Sequence, residues 1–134
     1  MAQGITPVFS HHDFLIFDKP EGISFHSESG TGFFAGLQKT LPDETLYPVH
    51  RLDKMTSGLV VVARNKEAAQ SFSHLFANHS IHKTYIALSD KKPTKKQGRV
   101  AGDMPRPLNG SWKLNQSRQN PAITRFTSEA LAQN

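Results

Sequence analysis

Apolar residues recur along this chain with two periods. The run Asp13-Phe14-Leu15-Ile16-Phe17-Asp18 is a short hydrophobic stretch closed by aspartates and predicts a strand, with Pro7-Val8-Phe9 as a shorter one before it. Lys19-Pro20-Glu21-Gly22 predicts a turn, because Pro20 fixes φ and Gly22 is free to take positive φ. Ser24–Gly32 is rich in Ser, Gly and Thr and predicts a loop. From Phe33 to Leu41 the period changes. Phe34, Leu37 and Leu41 fall at helical spacing, and Pro42 and Asp43 end the helix. Leu46–Val49 then leads into the central part of the chain.

Gly58–Ala63 is continuously apolar and rich in valine, which predicts a strand buried on both faces. Asn65 is placed to cap a helix running to about Asn78, with Glu67 in its first turn. Ala69, Phe72, Leu75 and Phe76 would form its buried stripe. Further strands are expected at Lys83–Leu88, Trp112–Leu114 and Ala122–Ala130, with loops at Asp90–Gly98 and Gly102–Gly110. There is no internal repeat. The expected fold class is α+β, a largely antiparallel mixed sheet with a few helices.

Length sets the scale of the domain. The 134 residues make one domain or less, here a single one over 1–134, with residues 89–111 as a loop-rich basic segment within it. The formal charge of +5 suits a polyanionic partner such as RNA. With no cysteine in the chain, disulfides, thiolate metal sites and cysteine nucleophiles are excluded. No apolar stretch reaches membrane-spanning length, and Met1-Ala2-Gln3-Gly4 does not open a secretory leader; a cytoplasmic protein is the expectation. His74, His79 and His82 match no common metal-ligand spacing, so no metal is expected.

Val49-His50-Arg51-Leu52-Asp53-Lys54-Met55-Thr56-Ser57-Gly58-Leu59 carries the candidate chemistry. In an extended segment residues i and i+2 point the same way, so Arg51 and Asp53 share a face and Leu52 turns to the other. A guanidinium favours the charged form of a neighbouring carboxylate, which suits Asp53 to nucleophilic or basic work at neutral pH. Two plainer readings stand beside this one: a salt bridge between Arg51 and Asp53, and an Asp53 that only caps the Thr56-Ser57 turn. His50 is read as a packing or hydrogen-bonding residue that positions this segment, not as a general base. Thr56 and Ser57 are read as turn-formers.

His50-Arg51-Leu52-Asp53 followed by Thr56-Ser57-Gly58-Leu59 resembles the signature of the RluA-type pseudouridine synthases. Asp18-Lys19-Pro20-Glu21-Gly22 is similar to that family's Asp-Lys-Pro-x-Gly segment, and Lys83-Thr84-Tyr85-Ile86-Ala87 to its Lys-x-Tyr-x-Ala strand. The resemblance runs from about Phe14 to Leu88. It implies a pseudouridine synthase catalytic-domain fold and isomerisation of uridine in transfer or ribosomal RNA to pseudouridine, without metal or organic cofactor. It implies Asp53 as the catalytic aspartate, Tyr85 as the ring packed on the target uracil, and Arg51 as the residue that displaces the base and fills its place. The family's later Gly-Arg-Thr-His-Gln-type segment, whose arginine pairs with the aspartate, has no counterpart after Arg125. The expectation is therefore the N-terminal part of such a domain. A catalytically inactive RNA-binding fragment is the alternative.

The residue types suit that chemistry. Extracting a base from its stack takes a few kcal/mol. Stacking on an aromatic ring such as Tyr85 returns about 1–3 kcal/mol per base. Lys83 shares a strand face with Tyr85 in this reading and is placed to meet a phosphate. The lysines of 91–96, with Lys83 and Arg99, either extend the RNA surface or are simply solvated. Tyr85 as a core residue and Lys83 as a solvated one are the corresponding plain readings.

Overall fold

A computed structural model of the protein describes residues 5–27, 31–104, 114 and 121–131. The chain divides into two compact units, Met1–Thr84 and Tyr85–Asn134. All strand pairing within each is antiparallel.

The first unit is a four-stranded sheet with two helices. Its strands are β1 (Phe9–Ser10), β2 (Phe14–Lys19), β3 (Tyr47–Pro48) and β4 (Gly58–Ala63), in the order β1-β2-β4-β3. β2 and β4 pair along their full length, from Phe14↔Ala63 to Lys19↔Gly58. Paired residues of antiparallel strands point to the same face. Leu15, Phe17 and Lys19 thus share one face with Val60 and Val62, and Phe14, Ile16 and Asp18 share the other with Leu59, Val61 and Ala63. Helix α1 (Phe33–Thr40) contributes Phe33, Phe34 and Leu37 to the core, which also holds Leu15, Phe17, Phe25, Leu46, Leu52, Val60 and Val62. Full burial of each such side chain is worth about 1.5–3 kcal/mol. Leu41 packs against this core just past the end of the helix.

Helix α2 (Lys66–Ala77) begins where the sequence places it. Asn65 Oδ1 accepts the Ala68 N–H at 2.8 Å, Glu67 sits in the first turn, and Asn78 is the C-cap. Phe72 meets Phe14 edge-on, with ring centroids 5.3 Å apart. Arg64 fastens the start of this helix, donating to both carboxylate oxygens of Glu44 (3.0 and 2.6 Å) and to the His11 carbonyl (2.9 Å).

The second unit is built on a hairpin of β5 (Gln97–Asp103) and β6 (Pro121–Thr127), paired from Gln97↔Thr127 to Asp103↔Pro121. Gly98 lies opposite Phe126, and a Cβ at Gly98 would come within 2.8 Å of the Phe126 ring. Only glycine lets the ring lie there. Ser128 N–H and Oγ both donate to the Lys96 carbonyl, at 2.8 and 3.1 Å, and close this end of the hairpin.

Several expectations need correction. β4 is not buried on both faces: Val60 and Val62 are fully buried, but Leu59 is 62% exposed and Val61 is half-buried. Leu75 is exposed and falls outside the stripe of α2, none of whose residues is fully buried. The expected strand at Lys83–Leu88 does not form. A strand needs a partner as well as an alternating sequence, and no described strand pairs there; Ile86 is 95% exposed. Residues read as the ends of two loops, within the basic segment 89–111, instead form β5. The first strand forms at Phe9–Ser10 rather than Pro7–Phe9, and β3 was not anticipated. Trp112 and Lys113 lie outside the described residues, as do parts of the Ser24–Gly32 and Gly102–Gly110 loops.

Candidate active site

The signature is the connection between β3 and β4, two strands paired at Tyr47↔Ala63 and Pro48↔Val62. Leu52 is buried in the core while Arg51 and Asp53 are exposed on either side of it, the alternation the sequence predicts. Leu52 therefore pins the middle of the segment and turns its charged neighbours to solvent. Among the described residues Arg51 and Asp53 form no ion pair with one another. Nor does the Asp53 side chain cap the turn, which is closed by the backbone bond from Thr56 N–H to the Asp53 carbonyl at 3.0 Å. The Asp53 carboxylate is left available at the surface.

His50 anchors the segment's entry. Its Nε2 accepts the Val61 N–H at 2.9 Å, and its ring stacks on Phe76 with centroids 4.7 Å apart. An acceptor Nε2 means a neutral ring with the proton on Nδ1. Burial lowers the imidazole pKa below its ordinary value, and the Lys83 ammonium lowers it further. That second influence brings Lys83 into the electrostatic reach of the signature. The positioning role read for His50 is what the structure shows.

Lys19 anchors the exit, and sequence reasoning passed over it as part of a turn. It is fully buried, and its Nζ donates to the carbonyls of Pro20 (2.8 Å), Ile23 (2.9 Å) and Lys54 (3.3 Å). Three acceptors match the three N–H donors of an ammonium. Burial lowers the pKa of Lys19, and the negative charge of Asp53 acts in the opposite sense. Gly22, at φ +86°, donates its N–H to the same Lys54 carbonyl at 2.8 Å. The Asp18–Gly22 turn thus grips the residue that follows Asp53. The signal was present in the strand parity: Lys19 continues the inward series Leu15, Phe17, where a lysine needs partners.

Tyr85 belongs to the second unit, where its ring is 59% exposed and lies outside any strand. The structure thus joins Arg51, Asp53 and Lys83 within one unit and describes Tyr85 in the other. His74, His79 and His82 form no ligand cluster among the described residues. Possible ligand atoms of His11, His12 and Asp13 do lie within 4.8 Å of one another. There His11 Nδ1 already accepts the Asp13 N–H at 3.1 Å, and Asp13 Oδ1 accepts from Asn65. That cluster reads as a turn that orients α2. No helix among the described residues is long and apolar enough to cross a membrane.

Residues 13–133 match the family model for RNA pseudouridylate synthase. The chain belongs to this family. It is 50% identical over 131 residues to an uncharacterized RNA pseudouridine synthase of Haemophilus influenzae, covering 97% of this chain and 58% of that protein. It is 36% identical over 84 residues to ribosomal large subunit pseudouridine synthase C of Pasteurella multocida, covering 60% of this chain and 26% of the relative. The chain therefore spans little more than half the length of the first of these relatives, and less of the second. In structure it is similar to human RNA pseudouridylate synthase domain containing 1, with a TM-score of 0.70 at 22% identity over 93% of this chain and 51% of the other. At that identity the likeness establishes the α+β fold.

Proposed function

We propose that the protein isomerises specific uridines of transfer or ribosomal RNA to pseudouridine, with Asp53 as its catalytic carboxylate and no cofactor. The observation that carries this reading is an exposed Asp53, with no ion pair to Arg51, on a segment clamped at both ends, in a chain of the RNA pseudouridylate synthase family. The bond from ribose C1′ to uracil N1 breaks, the ring turns, and C1′ joins C5, whose proton leaves to solvent while N1 takes one up. A carboxylate assists by attacking C1′ or the ring, or by removing a ribose proton. Each route needs one ionised carboxylate held in place. Burial of Leu52 and the double grip on the Lys54 carbonyl supply the holding.

Arg51, next to Asp53 but not neutralised by it, takes the space of the extracted base. Lys83 meets a phosphate near the signature, and Tyr85 stacks on the uracil. Both compact units are parts of one catalytic domain, working in the cytoplasm. The test is tritium release from RNA labelled at uracil C5, for this chain and for Asp53→Asn. Release that falls at least a thousandfold in the variant, with RNA affinity within about threefold, is expected. Equal release from both, or none from either, overturns the reading for this chain. Tyr85→Leu should slow release at least tenfold; an unchanged rate removes the stacking role.

A further inference from the structure

The net positive charge of the chain resides in its second unit. Residues 85–134 hold nine Lys and Arg against three Asp and Glu, a net +6. Residues 1–84, which carry the signature, hold seven against eight, a net −1. The carboxylate chemistry and the electrostatic attraction for a polyanion are thus assigned to different stretches of chain.

Within the second unit one arrangement is unusual. The register of the hairpin sets Arg99 directly opposite Arg125. Directly opposed residues share a face, with Cβ atoms about 4.5–5.5 Å apart, and like charges so placed destabilise a sheet. Gln97↔Thr127 and Ala101↔Ile123 flank the pair on that face, so no acid neighbours it there. Asp103 lies four residues along β5 from Arg99, roughly 13 Å away at about 3.3 Å per residue. Both arginines are exposed, and among the described residues neither makes a hydrogen bond or an ion pair. The exposed Lys95 and Lys96 precede β5 at the same end, held there by the two bonds from Ser128 to the Lys96 carbonyl. Two forked donors held side by side, repelling one another until an anion lies between them, form a receptor for a phosphodiester.

We infer that Arg99 and Arg125 form a clamp on the RNA backbone, flanked by Lys95 and Lys96. The inference rests on the RNA reading above and adds where the chain holds the strand, as distinct from the base. Backbone contacts of this kind fix position and register and read no sequence. The clamp should therefore act alike on substrate and non-substrate RNA.

The test is binding of the full chain to an unmodified RNA transcript, by fluorescence anisotropy from 50 to 300 mM KCl. Each phosphate contact contributes about 0.7–0.9 to the slope of log affinity against log salt. The double variant Arg99→Gln/Arg125→Gln should lose between about 1 and 2 from that slope and bind roughly tenfold or more weakly at 100 mM KCl. Lys39→Gln removes one exposed charge from the first unit and should change neither quantity. The double variant should melt no lower than wild type, since it relieves a repulsion; a lower melting point with unchanged binding also counts against the clamp. If wild type binds RNA and releases tritium but the double variant keeps its slope and affinity, the clamp is wrong and the proposed function stands. If wild type neither binds nor releases, both fall together.

Discussion

The two units put antiparallel strands to opposite uses. In the first, a sheet buries Phe17, Val60 and Val62 completely and sets the signature above them. In the second, a hairpin of two seven-residue strands has Gly102 as its one buried residue among those described, and turns arginines to solvent. A reacting carboxylate has to be held within a fraction of an ångström, which requires a packed frame. Holding a polyanion requires exposed charge in quantity, which a packed frame cannot supply. Residues 1–84 are close to neutral and residues 85–134 strongly basic, a distribution that fits the proposed roles.

The largest effect that would break the contrast comes from the cores. Phe17→Ala should destabilise the protein by about 3–5 kcal/mol, and Ile123→Ala, at a half-exposed position, by less than about 1 kcal/mol, both measured by urea unfolding. Similar losses at the two sites would mean that the hairpin is as tightly packed as the sheet. Next comes Lys19→Met, which strips three carbonyls of their donor. A loss of about 1–3 kcal/mol is expected, with tritium release falling at least tenfold at unchanged RNA affinity. Loss of stability alone, with normal turnover in the folded fraction, would reduce Lys19 to a core residue. Asn65→Ala removes the cap of α2 and should cost about 1 kcal/mol by thermal melting, without altering the salt slope of RNA binding.

The smallest effect is that of pH. His50 is held neutral, so its folded pKa lies below its unfolded value near 6.5. Its stabilising contribution is complete above that value. It is lost as pH falls toward and through the lowered one, because the unfolded chain takes up the proton first. Melting temperatures between pH 5 and 7, as an approximate working range for histidine, should drop with acid in wild type and drop less in His50→Asn. Identical profiles would show that His50 titrates alike in the folded and unfolded chain and would overturn this reading.

Much of the first unit is legible in the sequence because its signals are local. Asn65 and Glu67 announce α2, the apolar run 58–63 announces β4, and the alternation about Leu52 gives the orientation of Arg51 and Asp53. Where the signal depends on a partner, reading fails. Tyr47-Pro48 is too short to show a period. Gly98, Arg99, Gly102 and Asp103 interrupt any apolar alternation, so β5 is defined by β6 and not by itself. Lys83–Leu88 has the converse fault, a good pattern with no described strand beside it. Ala122–Ala130 does read as a strand, and β6 forms over Pro121–Thr127, paired with β5 along its whole length. Lys19 shows a subtler failure. Its membership in a turn motif was plain, but its burial follows from parity with Leu15 and Phe17, which is visible only once the strand is extended through it.

The Phe126 ring over Gly98 has a consequence for how the hairpin finds its alignment. Sliding β6 by one residue would set the ring against the Cβ of Gln97 or Arg99, and by two against Lys96 or Val100. A one-residue slip also sends every side chain to the opposite face. Gly102 is the other glycine of β5, and reaching it would forfeit four rungs of the ladder. A missing side chain thus serves as an index mark: one phenylalanine reads it, and two mutually repelling arginines are kept in step.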